Sequence, residues 1–158
     1  MTPLEKHALF GGLQPAELDL LRSLMKEERF TKGHDIVKEG DLGDRLYFIR
    51  SGSVEVIKAC PDDAGATAQL AVLDTGDTFG EMELIDIQRR SATVRALEDV
   101  DALSLSNRDL YRISQENMHT FAMLVMNIAR EISRRLRRLN ALMASALFAG
   151  SDASDRSD

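Results

Sequence analysis

The hydrophobic positions of this chain change period twice. Leu18, Leu21, Leu24 and Met25 recur at helical spacing behind Pro15, which predicts a helix from Pro15 to Met25. Leu9, Phe10 and Leu13 are expected to pack beside it, with Gly11-Gly12 as the bend. From Phe30 onward short alternating segments are cut by glycines. The pattern predicts strands at Asp35–Glu39, Arg45–Arg50, Ser53–Ala59, Gln69–Leu73, Ser91–Ala96 and Ala102–Ser106. Ser51-Gly52 predicts a tight hairpin turn between two of them. Many short strands at near-regular spacing imply a mainly β fold, a barrel or jelly-roll sandwich, with flanking helices. Helical period returns at Asn107, the expected N-cap, with Asp109 in the first turn. Gln115 to Met118 is polar and is the expected hinge. The last helix is predicted from about His119 to Phe148. Its stripe of Val125, Ile128, Ile132, Leu136, Leu139 and Met143 suits pairing with another helix.

Composition narrows this picture. The 158 residues predict a single domain over 1–148, with a β-roll at about 28–106 and C-terminal helices at about 107–148. Residues 149–158 are expected to be a disordered tail. A net charge of -6 argues against a generic nucleic-acid binder. The single cysteine, Cys60, excludes an intramolecular disulfide and suits a reducing compartment. The N-terminus lacks a signal-peptide pattern, and no apolar run approaches the roughly 18 residues that span a membrane. The expectation is therefore a cytoplasmic protein with no membrane association. His7, His34 and His119 show no metal-ligand spacing, and no nucleophile–base–acid set suggests an enzyme. Between Met118 and Phe148 five arginines stand against one acid, Glu131, so the last helix is positive in an acidic chain.

One stretch carries candidate chemistry. Phe79 to Val94 reads FGEMELIDIQRRSATV. A flexible glycine, Gly80, precedes a carboxylate, Glu81, and Arg90 follows nine residues later. These are the parts needed to hold a small anion that also bears a hydroxyl group.

The spaced set resembles the phosphate-binding cassette of the cyclic-nucleotide-binding domain family, F-G-E-L-A-L-x(5)-R-A/S-A-T-V. Phe79 to Leu84 and Arg90 to Val94 match it with the spacing intact. The family's upstream pattern, E-G-D-x-G-D-x-x-Y-F-I-x-x-G-x-V, matches from Glu39-Gly40-Asp41 through Gly52 and Val54. The resemblance covers roughly Leu9 to Phe148. It implies an eight-stranded jelly-roll β-barrel with one N-terminal and two C-terminal helices, the last one long. It implies cAMP or cGMP as ligand, cAMP being favoured, with no metal and no catalysis.

Such a ligand assigns roles to residues. Glu81 would accept from the ribose hydroxyl. Arg90 would give two parallel hydrogen bonds to the cyclic phosphate. Gly80 would admit the backbone closely. Amides of a helical turn over Met82, Glu83, Leu84 and Ile85 would face the phosphate, and Ser91 would add a hydroxyl. Arg135 and Leu136 fall where the last helix caps the base. Arg135 either stacks on a purine or lies on a solvated face. Glu83 departs from the family pattern, which has a small residue there. A second negative charge about 4 Å from the phosphate would repel it by about 4 kcal/mol at an effective dielectric of 20. Glu83 either points to solvent, which is the expectation, or pairs with Arg89 or Arg90 in the phosphate's place.

The functional expectation is a stand-alone sensor signalling through its last helix to a downstream protein. It would form a homodimer through residues 119–148 and bind no DNA, since the sequence ends ten residues after Phe148. The alternative is a degenerate, ligand-free interaction module acting through the arginine-rich helix.

Overall fold

A computed structural model describes residues 4–63 and 65–154, with side chains to Phe148. Two 3-10 turns, Leu4–Lys6 and Ala8–Phe10, lead into helix α1, Pro15–Leu24. Eight strands follow: β1 Lys26–Phe30, β2 Asp35–Val37, β3 Arg45–Ser51, β4 Val54–Ala59, β5 Thr67–Leu73, β6 Thr78–Phe79, β7 Thr93–Ala96 and β8 Val100–Ser106. Helix α2, Glu81–Ile85, sits between β6 and β7, and α3, Asn107–Glu116, and α4, Met118–Ser154, end the described chain. The strands form two antiparallel four-stranded sheets, ordered β1-β8-β3-β6 and β2-β7-β4-β5. The mainly β architecture with flanking helices is thus present.

β3 explains the layering. RLYFIRS reads as a nearly continuous apolar run because both faces of the strand are covered. Leu46 and Phe48 face the helices, in one core with Phe10, Leu105, Ile113, Leu124 and Ile128. Tyr47 and Ile49 face the other sheet, in a second core with Val54, Phe79, Val94 and Val100. The first sheet is therefore a middle layer between helices and the second sheet.

Several expectations are corrected. Ser51-Gly52 is no hairpin turn, because β3 and β4 lie in different sheets. The pairing of β3 with β8 shifts register between Ile49 and Ser51, and Gly52 adopts φ 90°, turning the chain across the sandwich. β1 (KEERF) carries too many charges to read as a strand. It pairs only with β8 at the sheet edge, where its side chains stay largely wet. β6 is two residues long and below any sequence signal. Asn107 is not the N-cap of α3. Ser106 caps it, accepting from the Asp109 amide at 3.1 Å, while the Asn107 side chain donates to the Leu84 carbonyl at 2.7 Å.

Asn117 ends α3 and its Oδ1 accepts from the Thr120 amide at 3.0 Å, so the polar break falls within the expected hinge. α4 then runs past Phe148 to Ser154, into the stretch expected to be tail; residues 155–158 lie outside the described residues. Its stripe divides. Ile128 is buried and Ile132 packs on the same core, whereas Leu136 and Leu139 are 56% exposed and Met143 62%. The first half of the stripe thus seals this chain's own core, and only the second half is left as a seam. Among the described residues no helix is long and apolar enough to cross a membrane.

Asn127 anchors α4. Its Nδ2 donates to the carbonyls of Leu9 at 3.0 Å and Gly11 at 2.9 Å. Asn127→Ala leaves both carbonyls without this donor, so unfolding free energy should fall by about 1–3 kcal/mol. Urea denaturation followed by circular dichroism measures it, and an unchanged midpoint contradicts the anchor.

Candidate functional site

Two distant loops meet to build the site. Residues 40–43 run antiparallel to residues 88–90. The Arg90 amide donates to the Asp41 carbonyl at 2.7 Å, and the Arg90 carbonyl accepts from Gly40 at 2.9 Å. The Gly43 amide donates to the Gln88 carbonyl at 2.9 Å. The two sequence motifs are thus one structure, and the upstream motif fixes the backbone of the arginine.

The Arg90 side chain then turns inward past two glycines. A Cβ on Gly43 would stand 2.5 Å from Arg90 Nε, and one on Gly80 would stand 2.8 Å from Nη1 and 2.4 Å from the Arg45 carbonyl. Gly80 also adopts φ 82°, at the N-cap of α2, where a side chain is strained in any case. Arg90 Nη2 donates to the Arg45 carbonyl at 3.1 Å. Gly43 and Arg45 have no role in the sequence reading. The signal for Gly43 lay in the upstream motif, whereas a backbone carbonyl leaves none.

Glu81 is buried, as a positioned acceptor should be. It accepts from the Thr78 hydroxyl and from Arg135 Nη1, the latter at 3.1 Å. Arg135 reaches down from α4 and also donates through Nη2 to the Thr78 carbonyl at 2.8 Å. Its Nε donates to Glu131 at 3.2 Å. Burial pushes the Glu131 carboxyl up, but the guanidiniums of Arg135 and Arg134 outweigh it and hold it below the usual carboxylate range. Arg135 is therefore neither free to stack nor on a solvated face; it binds the carboxylate assigned to the ribose.

Glu83 corrects the expectation of a solvent-facing side chain. It is 7% exposed and accepts from Arg90 Nη1 at 3.2 Å. The physical reason is the close packing that Gly43 permits: a Cβ there would lie 2.8 Å from Glu83 Cγ. A buried carboxylate needs a counter-charge, and Arg90 is the one beside it. Met82 is exposed and Ser91 lies at the exposed rim, its carbonyl accepting from Lys58 at 2.6 Å.

These groups line a cavity of about 440 Å³, within the range of small-molecule sites. The lining includes apolar Val56, Leu73 and Val94 of the second sheet, and Arg138 and Leu139 of α4. The site thus offers an apolar slot for a flat group beside a polar end. Gly80, Glu81, Met82, Glu83, Arg90, Ser91 and Arg135 all border it.

Comparison with known proteins agrees with this geometry. Residues 27–117 match the family model of the cyclic nucleotide-binding domain, and the chain belongs to that family. The cyclic AMP receptor protein of Thermus thermophilus is 36% identical over 129 residues, which is 82% of this chain and 57% of that protein. The chain thus spans little more than half the length of this relative. The crystal structure of the Thermus thermophilus catabolite activator protein aligns with TM-score 0.78 at 33% identity, covering 89% of this chain and 63% of that one. The N-terminal domain of a transcriptional regulator from Streptomyces coelicolor aligns with TM-score 0.73 at 33% identity, covering 87% and 92%.

Gly80→Ala should lower stability by about 1–3 kcal/mol through the strained backbone alone. The clash with the Arg45 carbonyl adds to this. A urea midpoint equal to that of the parent protein would show that the turn does not need glycine.

Proposed function

We propose that this chain is a cyclic-nucleotide sensor, with cAMP preferred over cGMP, that signals through α4. The observation that carries this reading is the Arg135–Glu81 contact. Glu81 is the acceptor a ribose hydroxyl needs, and the group now holding it belongs to the output helix. A ligand that takes Glu81 competes with Arg135, so occupancy and the position of α4 are linked. Arg90 is the cation for the cyclic phosphate, and the apolar wall of Val56, Leu73 and Val94 suits the base. The name of the Thermus relative supports cAMP. The exposed half-stripe from Leu136 to Met143 supports a homodimer through α4, with a further protein as reader of its movement.

A second reading is favoured by the Glu83–Arg90 pair. If that pair closes the polar end permanently, the barrel is a ligand-free scaffold and the arginine-rich helix is the functional part. Isothermal titration with cAMP and cGMP separates the two. The sensor reading expects binding on the order of micromolar or tighter. Arg90→Ala should weaken it about 100-fold, by removing a charge-assisted, two-pronged contact. Absence of heat with either nucleotide, in folded protein, refutes the sensor.

The linkage has its own measurement. Amide exchange over residues 128–136 should rise when cAMP is added. In Arg135→Ala it should already be raised without ligand. Exchange that is the same in all four samples would show that Arg135 does not tie α4 to the pocket.

A further inference from the structure

Resting on the sensor reading, we propose that Glu83 is a tethered anion. Its carboxylate holds the seat at Arg90 that the ligand phosphate must take, and it sets affinity and selectivity by internal competition.

The geometry supports this at three points. First, both terminal nitrogens of Arg90 are engaged. Nη1 donates to Glu83 Oε2 at 3.2 Å and Nη2 donates to the Arg45 carbonyl at 3.1 Å. A two-pronged contact with phosphate needs the face that Glu83 now covers. Second, the pair is built in rather than incidental. Both residues are 7% exposed, and Gly43 leaves room for the Arg90 guanidinium and Glu83 Cγ together. A surface ion pair would be screened and weak, whereas this one is enclosed. Third, the charges close. Glu81 and Glu83 face Arg90 and Arg135, bonded in the pairs Glu81–Arg135 and Glu83–Arg90. Each of the two arginines thus already has a carboxylate partner without a ligand. A cyclic phosphate brings one more negative charge, and it reaches Arg90 Nη1 when Glu83 swings away from it. With a small neutral residue at position 83, Arg90 has no carboxylate partner and is matched to a monoanion.

Glu83 is thus a specificity-determining residue. It lowers the affinity for any ligand that uses Arg90 through an anion and leaves other ligands untouched. Glu83→Gln removes the charge and keeps the shape, and Glu83→Ala removes both. Titration of the parent protein and the two variants with cAMP, and with adenosine as a probe that has the ribose hydroxyls and base without the phosphate, tests the proposal. Both variants should bind cAMP at least about tenfold tighter than the parent, about 1.4 kcal/mol. Adenosine affinity should stay within about threefold, so the ratio of adenosine to cAMP dissociation constants should rise. Thermal unfolding confirms that each protein is folded, and Glu83→Gln suffices if the smaller variant is not. Equal cAMP affinity in parent and variants overturns the tethered anion and leaves the sensor standing. Weaker binding by Glu83→Gln also overturns it, by making the carboxylate an attractive contact. Binding by none of the folded proteins overturns the sensor reading and this inference together.

Discussion

The buried guanidinium of Arg90 is the constraint around which the structure is arranged. A full positive charge inside protein is tolerated only when it is surrounded by acceptors. The chain supplies two, the Arg45 carbonyl at the start of β3 and the Glu83 carboxylate on α2, while the loop from Gly40 to Gly43 holds the arginine's backbone. Glu83 lies seven residues from Arg90, whereas the Arg45 carbonyl is 45 residues away. Folding must bring β3, α2 and the two loops into register before the charge is satisfied. The same arrangement leaves the guanidinium at the edge of a cavity, where an external anion could replace an internal one.

Helix α4 serves two layers of this arrangement. Through Leu124, Asn127 and Ile128 it closes the core against the N-terminal 3-10 turns. One turn beyond Glu131 it sends Arg135 back to Glu81. After that its apolar residues Leu136, Leu139, Leu142 and Met143 are all more than half exposed. A single helix is therefore fixed at its base, latched at its middle and open at its end. This order suits a part whose middle contact is the one a ligand contests.

How much was legible in the sequence follows from the range of the forces involved. α1 could be read because its buried residues follow the helical period, and β4 and β8 as short apolar segments although neither alternates strictly in burial. β3 was readable as a strand, but its double burial is a property of the layers on either side. β1 was hidden by its charges, since an edge strand needs only backbone pairing. Ser51-Gly52 carried the right residues for a hairpin, yet the register shift after Ile49 sent the chain into the other sheet. At the site, Gly80, Glu81 and Arg90 were recoverable from spacing because the cassette is contiguous. The direction of Glu83 was not, because it depends on the space left by Gly43 in a loop far upstream. The partner of Arg135 was hidden for the same reason: no local pattern tells a helix arginine that a carboxylate waits beneath it.

The hydrogen bond from Asn107 to the Leu84 carbonyl has a mechanical meaning. It joins the end of α2 to the start of α3, so that two short helices share one pivot. α3 is ten residues long, about 15 Å, and stops at Asn117, where α4 begins. A displacement of α2 would therefore bear on α3 through this 2.7 Å bond. α3 in turn meets α4 at Asn117, which is bonded back to Ile113 and forward to Thr120 and Phe121. The amide of one asparagine thus connects α2 to α3, and through Asn117 to α4, alongside the Arg135–Glu81 contact.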